Sequence, residues 1–398
     1  MRSLPSKKLA GLGTSVFAEM TALAQAHGAI NLAQGFPDFD GPEFVKQAAV
    51  DAIRAGHGQY ARTHGVPALN AAIAGSLARH NGLEVDPERE ITVTAGCTEA
   101  IAATLLGTCD PGDEVILFQP FYDSYLASVR MAGATPRVVT LRPTDGAAGG
   151  WAFDPDEVRR AFTPATRAIL VNTPHNPTGK VFTREELAFL AALCVEHDVI
   201  CIADEVYERL VYEGEHLSIA TLPGMRERTV TLSSLGKTFS LTGWKIGWAA
   251  APPPLTGAVR SAHQFLTFCA PTPLQHAAAA ALSAQDEEVA ALVTTYRARR
   301  DLLVHELTRL GFDVRPPSGS YFICAGIGAF DVADDVAFCR RLTAEVGVAA
   351  IPPSAFYAEP ALGRGYVRFA FCKQESTLRA AVARMDAGLP ALRRELKR

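Results

Sequence analysis

The sequence lacks most of the features that mark specialised classes of protein. It has no excess of charge: 38 basic side chains face 42 acidic ones, for a formal net charge of -4, and no run of five like charges occurs. So weak a field gives no reason to expect nucleic acid or an anionic membrane surface as partner. No stretch approaches the ~18 consecutive apolar residues of a membrane span. Arg2, Lys7 and Lys8 have no apolar segment behind them, which argues against a secretory leader. The eight cysteines, at 97, 109, 194, 201, 269, 324, 339 and 372, include no C-x-x-C pair. Most sit in apolar runs such as Val199-Ile200-Cys201-Ile202-Ala203, the usual setting of reduced thiols. Disulfides and structural zinc are therefore not expected, and a cytoplasmic setting is. Internal repeats and low-complexity segments are missing too.

What remains is bulk. The chain has 398 residues, 48% of them hydrophobic, which at roughly 150 residues per domain suggests two or three units with ample core. Small-molecule chemistry becomes the default expectation. Between about 90 and 250, short β-branched runs alternate with helical patterns: Glu90 to Thr94, Glu114 to Phe118, Arg137 to Leu141, Ala168 to Asn172, Val199 to Ala203, Val230 to Ser233 and Ile246 to Ala250. Helices are expected in the gaps, for example over Thr98 to Gly107 and Arg184 to His197. Runs apolar on both faces imply a mostly parallel sheet covered on two sides. From about 285 the texture changes to a long charged helix, Glu287 to Gly311. Short strands at Tyr321 to Ala325 and Val367 to Phe371 follow, with a helix at Asp334 to Glu345 between them, so a second, smaller α+β unit is expected. The loop Leu141 to Gly150 and the prolines 252 to 254 punctuate the larger unit.

The densest motif is Ser233-Ser234-Leu235-Gly236-Lys237-Thr238, directly after an expected strand. Ligands in open α/β sheets sit beyond the carboxyl ends of strands. A phosphate-binding P-loop fails here, because position 231 is Thr where a glycine is needed. An S-x-x-K acyl-transferase would use Ser234 with Lys237, but its companion elements are absent. A lone lysine at a strand end is more often an ordinary surface residue, so its neighbours have to decide.

Those neighbours are Asp204, which ends one buried strand, and Asn176, which follows another between Pro174 and Pro177. A buried Asp favours its neutral form unless a cation pairs with it, and a pyridinium nitrogen is such a cation. Asn176 on a proline-constrained backbone can aim its amide at a phenolate oxygen, and Tyr207 can donate to the same atom. Singly, each is more often a capped strand end or a turn. As a set, they supply what pyridoxal 5'-phosphate requires: an amine for its aldehyde, a carboxylate for its ring nitrogen and donors for its ring oxygen. The phosphate needs its own cradle, and Gly96-Cys97-Thr98 opens a helix where free N–H groups and the dipole favour an anion. Ser234 adds a hydroxyl and Lys245 a cation, while Phe121-Tyr122 offers a stacking face. For Cys97 only the backbone is expected to matter.

At this point the sequence resembles the class I aminotransferases of fold type I, over nearly its whole length. The motifs are Asn31 to Phe39 (NLAQGFPDF), Gln59 to Gly65 (QYARTHG), Pro120 to Tyr125 (PFYDSY), the Asn176, Asp204 and Lys237 segments, and Val367-Arg368-Phe369. The resemblance is closest to the methionine, kynurenine and glutamine transaminases, and Gly347 to Pro352 with Ser354 is similar to the bacterial methionine aminotransferases. It implies a pyridoxal-phosphate-dependent α/β transferase with a mostly parallel seven-stranded sheet sandwiched by helices. The implied units are an N-terminal arm (1–44), a large cofactor domain (45–290) and a small C-terminal domain (291–398).

The resemblance also implies roles. Lys237 matches the catalytic lysine that holds the cofactor, Asp204 the pyridinium partner, Asn176 and Tyr207 the ring-oxygen donors, and Tyr122 the stacking aromatic. Thr98, Ser234 and Lys245 match phosphate contacts. Tyr60 matches a tyrosine that reaches the neighbouring subunit's cofactor, implying a homodimer with shared sites. Arg368 resembles the arginine that grips the substrate α-carboxylate, a task suited to its planar fork. Gly35 matches a glycine approaching the same carboxylate, and Phe17 and Phe268 are aromatic wall residues. Cys269 stands where kynurenine-type members often carry His, and Cys97-Thr98-Glu99 where several have Gly-Tyr-Gly. No second arginine suits an acidic side chain.

The expected activity is ping-pong transfer of an amino group from a methionine-like, glutamine or aromatic L-amino acid to a 2-oxo acid. A cysteine-conjugate or cystathionine β-lyase, or a succinyldiaminopimelate aminotransferase, is the alternative. A transcriptional regulator would need an appended winged helix, for which Met1 to Gly28 is too short.

Overall fold

The computed structural model describes residues 6–396 apart from 12, 14, 145–149, 285 and 333. All seven expected strands form, and they join one sheet: β1 (Ile91–Thr94), β2 (Glu114–Gln119), β3 (Thr135–Thr140), β4 (Thr166–Asn172), β5 (Ile200–Asp204), β6 (Thr229–Ser234) and β7 (Gly247–Ala250). Their spatial order is β1-β7-β6-β5-β4-β2-β3. Only β7 runs against its neighbours, antiparallel to both β1 and β6.

Side-chain alternation explains why these runs read as continuously apolar. In β2, Ile116 and Phe118 join one core cluster, while Val115 and Leu117 join the cluster on the other face. Ile169 and Val171 of β4 alternate with Ala168 and Leu170 in the same way. A strand with period-2 side chains and two buried faces offers no solvent-facing position, so even its polar residues, such as Thr229 and Thr231, are buried. Helices cover both faces, among them α2 (Cys97–Thr108), α3 (Asp123–Met131) and α4 (Arg184–Glu196), whereas α1 (Val16–Ala26) packs with the smaller unit. α4 begins with a reciprocal capping box in which Thr183 and Glu186 satisfy each other's backbone N–H.

Beyond the long helix α5 (Glu287–Arg309), a second sheet of β8 (Asp313–Val314), β9 (Phe322–Gly326) and β10 (Tyr366–Ala370) is antiparallel. α5 buries Val289, Tyr296, Arg300, Leu303 and Leu307, one stripe at helical spacing. The last helix, α6 (Glu375–Leu396), buries Leu378, Ala381, Met385 and Leu389 in the same core. α1 adds Met20 and Ala24 to that core, and Ile30–Asn31 pairs in parallel with Val348–Ala349. The helix expected over Asp334 to Glu345 is α-helical only at Asp335–Arg341; Leu342–Val346 is a π-turn that ends at Gly347, φ 77°. The expected loop Leu141 to Gly150 is described only at its ends, since 145–149 lie outside the described residues. Among the described residues no helix is long and apolar enough to cross a membrane.

Candidate active site

Strand register assembles the site. Asn172 at the end of β4 pairs with Asp204 at the end of β5, and Gly247 at the start of β7 pairs with both Thr94 and Ser234. Because β7 runs backwards, its first residues meet the last residues of the parallel strands. The turn bearing Lys237, the return through Lys245 and the start of α2 therefore share one edge. That edge opens into a cleft of about 210 Å³, closed on its far side by Phe17, Gln34, Gly35, Phe322 and Arg368.

Lys237 is partly buried, and its Nζ donates to the Tyr321 hydroxyl at 2.9 Å, with the Gly35 carbonyl at 3.5 Å. Burial pulls its pKa down to about 8, helped by the cations Lys245 and Arg368. Across the cleft, burial raises the Asp204 pKa, opposed by its hydrogen bonds. The carboxylate accepts from Tyr125 Oη at 2.6 Å, the Val206 N–H at 3.2 Å and Cys97 Sγ at 3.5 Å. These are neutral donors, none of them a cation.

The Arg368 guanidinium is fully buried. Nη1 donates to Asn176 Oδ1 at 3.0 Å and Nη2 to the Ala33 carbonyl at 2.7 Å, while Nε has no partner among the described residues. It lies 4.1 Å over the Phe322 ring and 5.2 Å over those of Phe17 and Phe356. Burial lowers its pKa to about 10, still cationic at neutral pH. Because Asn176 turns its oxygen to Arg368, its NH2 is the end left for a ligand.

No side chain caps α2. Its N-terminal Gly96 has φ 80°, and a Cβ there would meet Lys245 Nζ at 3.1 Å. A Cβ on Gly247 would lie 2.6 Å from the Cys97 nitrogen. Two glycines thus keep open a cradle of helix N–H groups beside Lys245 and Ser234, fit for a phosphate. The donor set matches pyridoxal phosphate in three independent places: a buried acid without a cation, an uncapped helix start and a lysine of lowered pKa.

Of the sequence-derived residues, Phe17, Gly35, Gly96, Cys97, Thr98, Tyr122, Asn176, Asp204, Tyr207, Ser234, Lys237, Lys245 and Arg368 all line this cleft. Tyr60 and Phe268 do not. They stand exposed, edge to face, 5.3 Å apart. Phe268 is therefore no wall residue of its own chain's cleft: it lies at the end of the helix Pro253–Leu266, with φ 68°, and faces outward. Phe121 is core, leaving Tyr122 alone as the stacking candidate. Cys97 contributes more than backbone, since its thiol touches Asp204. Tyr125 and Tyr321 were missed. Tyr125 lies three residues after Tyr122 on the same helical face, a spacing that held the signal. Nothing in the local pattern marks Tyr321.

Comparison with known proteins follows from this geometry. The family model "Aminotransferase class I and II" matches residues 27–385. The solved structure of N-succinyldiaminopimelate aminotransferase from Mycobacterium tuberculosis is similar with a TM-score of 0.93 at 48% identity, covering 96% of this chain and 99% of that one. The methionine aminotransferase of Escherichia coli is 42% identical over 96% of this chain and 98% of its own. The kynurenine–oxoglutarate transaminase of Dictyostelium discoideum is 39% identical over 95% of this chain and 94% of its own.

Proposed function

The chain belongs to the class I and II aminotransferases, a pyridoxal-phosphate-dependent family, and on that premise we propose that it moves the amino group of a methionine-like, glutamine or aromatic L-amino acid to a 2-oxo acid. The observation that carries this is the convergence of Lys237, Asp204 and Arg368 in one cleft with an aromatic wall. When bound, the cofactor supplies an electrophilic carbon for the amino group and an electron sink for charge developing at the substrate Cα. Asp204 would pair with its ring nitrogen, Asn176 and Tyr207 would donate to its ring oxygen, and Tyr122 would supply the stacking face. Thr98, Ser234, Lys245 and the first N–H groups of α2 hold its phosphate.

Arg368, with Nε unpartnered, holds the substrate carboxylate and so orients the Cα–H bond toward Lys237. Lys237 in its neutral form can take the proton from Cα and hold it as an ammonium, and so would serve as base and then as acid. Phe17 and Phe322 line the cleft beside Arg368 as apolar walls, which supports an apolar donor.

The exposed pair Tyr60 and Phe268 supports a homodimer in which each chain completes its neighbour's site; apolar side chains this exposed commonly mark an interface. We further propose the division into an arm (1–44), a large domain (45–290) and a small domain (291–398), and a cytoplasmic setting. The likeness to the M. tuberculosis enzyme favours a succinylated donor as second reading, and β-elimination from cysteine conjugates would use the same residues.

The test is Lys237→Ala. After borohydride treatment the wild-type chain should retain the cofactor through gel filtration and the variant release it, with turnover lost. A variant with normal multiple turnover would sink the assignment. A single-turnover screen of donors then separates methionine, glutamine and aromatic amino acids from N-succinyl-diaminopimelate; failure of all but the last would establish the second reading.

A further inference from the structure

Behind the phosphate cradle lies a charged pair for which the reaction has no direct use. His263, on the helix Pro253–Leu266, has a fully buried side chain. Its Nδ1 is 2.7 Å from Glu99 Oε1, and its Nε2 is 2.7 Å from the Thr63 carbonyl. A carbonyl only accepts, so Nε2 carries a hydrogen; an ionised carboxylate only accepts, so Nδ1 carries one as well. A ring that donates from both nitrogens is an imidazolium, the form this pair of acceptors favours. Burial opposes that charge, but the hydrogen bond and Coulombic attraction of Glu99 outweigh it and raise the pKa above its ordinary value.

Glu99 is the third residue of α2, and its other oxygen accepts the Ala95 N–H at 2.7 Å. It therefore stands in the turn whose N–H groups and positive dipole end face the cradle. An uncompensated carboxylate there would offset the dipole and repel a phosphate dianion. The Thr63 carbonyl belongs to the segment Gln59 to Gly65, so the same ring also fixes the loop that carries Tyr60.

We propose that His263 is a positioning residue of the phosphate cradle: its buried imidazolium neutralises Glu99 and so preserves the affinity of the α2 N-terminus for the cofactor's phosphate. This rests on the pyridoxal-phosphate reading above. It assigns work to a histidine and a glutamate that touch no substrate.

The experiment uses the full chain stripped of cofactor. Dissociation constants are measured by protein fluorescence for three probes: pyridoxal phosphate, unphosphorylated pyridoxal and inorganic phosphate. His263→Gln keeps one amide donor for Thr63 but removes the charge. It should weaken pyridoxal phosphate and inorganic phosphate by roughly tenfold, the scale of one charge-assisted interaction, and leave pyridoxal unchanged. Adding Glu99→Gln to that variant should restore both phosphate-bearing probes to within about threefold of wild type, since the uncompensated charge is gone. Glu99→Gln alone, which needs no neutralising partner, should bind phosphate at least as tightly as wild type. The inference is overturned if pyridoxal weakens as much as its phosphate, if the double variant binds no better than His263→Gln, or if Glu99→Gln alone weakens inorganic phosphate. A wild-type chain that binds inorganic phosphate but not pyridoxal phosphate would instead overturn the cofactor reading.

Discussion

Replacing Tyr125 by Phe isolates the electrostatics of Asp204, because it deletes one hydroxyl and keeps the ring that packs edge-on against Tyr122 at 5.8 Å. The lost bond, 2.6 Å to Asp204 Oδ2, is the shortest of the three that hold the carboxylate. A hydrogen bond to a buried charge contributes about 1.5–3 kcal/mol, and 1.36 kcal/mol corresponds to one pKa unit, so the loss is worth about 1–2 units. The sign is fixed: the Tyr125 hydrogen bond favours the charged form, so its removal raises an Asp204 pKa that burial already holds above the ordinary value. Only the ionised acid pairs with a pyridinium nitrogen. The apoprotein's affinity for pyridoxal phosphate should therefore fall on the acid side of the Asp204 pKa, and in the variant this limb should begin about 1–2 units higher. The assay is cofactor binding by absorbance from pH 5 to 9, expressed as the ratio of variant to wild-type dissociation constants, in which the cofactor's own titrations cancel. The ratio should be near one at high pH and rise toward low pH by about 10- to 100-fold. A ratio flat across the range, or one largest at high pH, would refute the view that Tyr125 keeps Asp204 ionised.

Three other outcomes follow from the geometry. Arg368→Lys replaces a fork that spans Asn176 and Ala33 with a point charge, and should cost roughly 2 kcal/mol in kcat/KM for amino-acid donors, about thirtyfold, while cofactor affinity stays unchanged. Gly247→Ala forces a Cβ to within 2.6 Å of the Cys97 nitrogen; it should lower stability by about 1–3 kcal/mol in thermal denaturation and weaken the cofactor as well. His216 faces Glu205 at 3.0 Å; burial opposes its charge, but Glu205 outweighs this and raises the folded-state pKa. Its contribution to stability is therefore complete below the unfolded pKa of about 6.5 and is lost as pH rises through the folded value. Denaturant titrations should show the gap between wild type and His216→Gln narrowing as pH rises; a gap that widens would contradict the sign.

What the residues betray along the chain is whatever a strand or turn makes local. Val199 to Ala203 is apolar on both faces, and Asp204 ends it; that break in pattern located both the strand and the acid. The direction of β7 was not legible, because Gly247–Ala250 carries the same pattern whichever way it runs. The turn from Lys237 to Lys245, too short for a crossover helix, sets it. Tyr125 and Tyr321 escaped for a different reason. Tyr125 meets Asp204 across 79 positions and Tyr321 meets Lys237 across 84, so tertiary approach alone gives them their roles. The resemblance implies Phe268 as a wall residue, yet with a positive φ just past a helix end it stands at the surface beside Tyr60.

The same cations that suit this cleft to anions also tune its base. A lysine at the ordinary pKa of 10.5 is neutral to about three parts in ten thousand at pH 7. At about 8, roughly a tenth of Lys237 is free to accept a proton. Burial is the largest cause, and Lys245 and Arg368 push in the same direction. When Arg368 takes up a carboxylate and Lys245 a phosphate, their repulsion of Lys237 is cancelled and its proton affinity rises. The lysine is thus a readily deprotonated amine while the cleft awaits its anions and a stronger base once they are bound. A donor with a second carboxylate would push Lys237 further toward its charged form, and among the described residues the cations lining the cleft, Lys237, Lys245 and Arg368, leave none for that extra charge. An uncharged side chain keeps the balance, which is the electrostatic reason to favour an apolar donor over an acidic one.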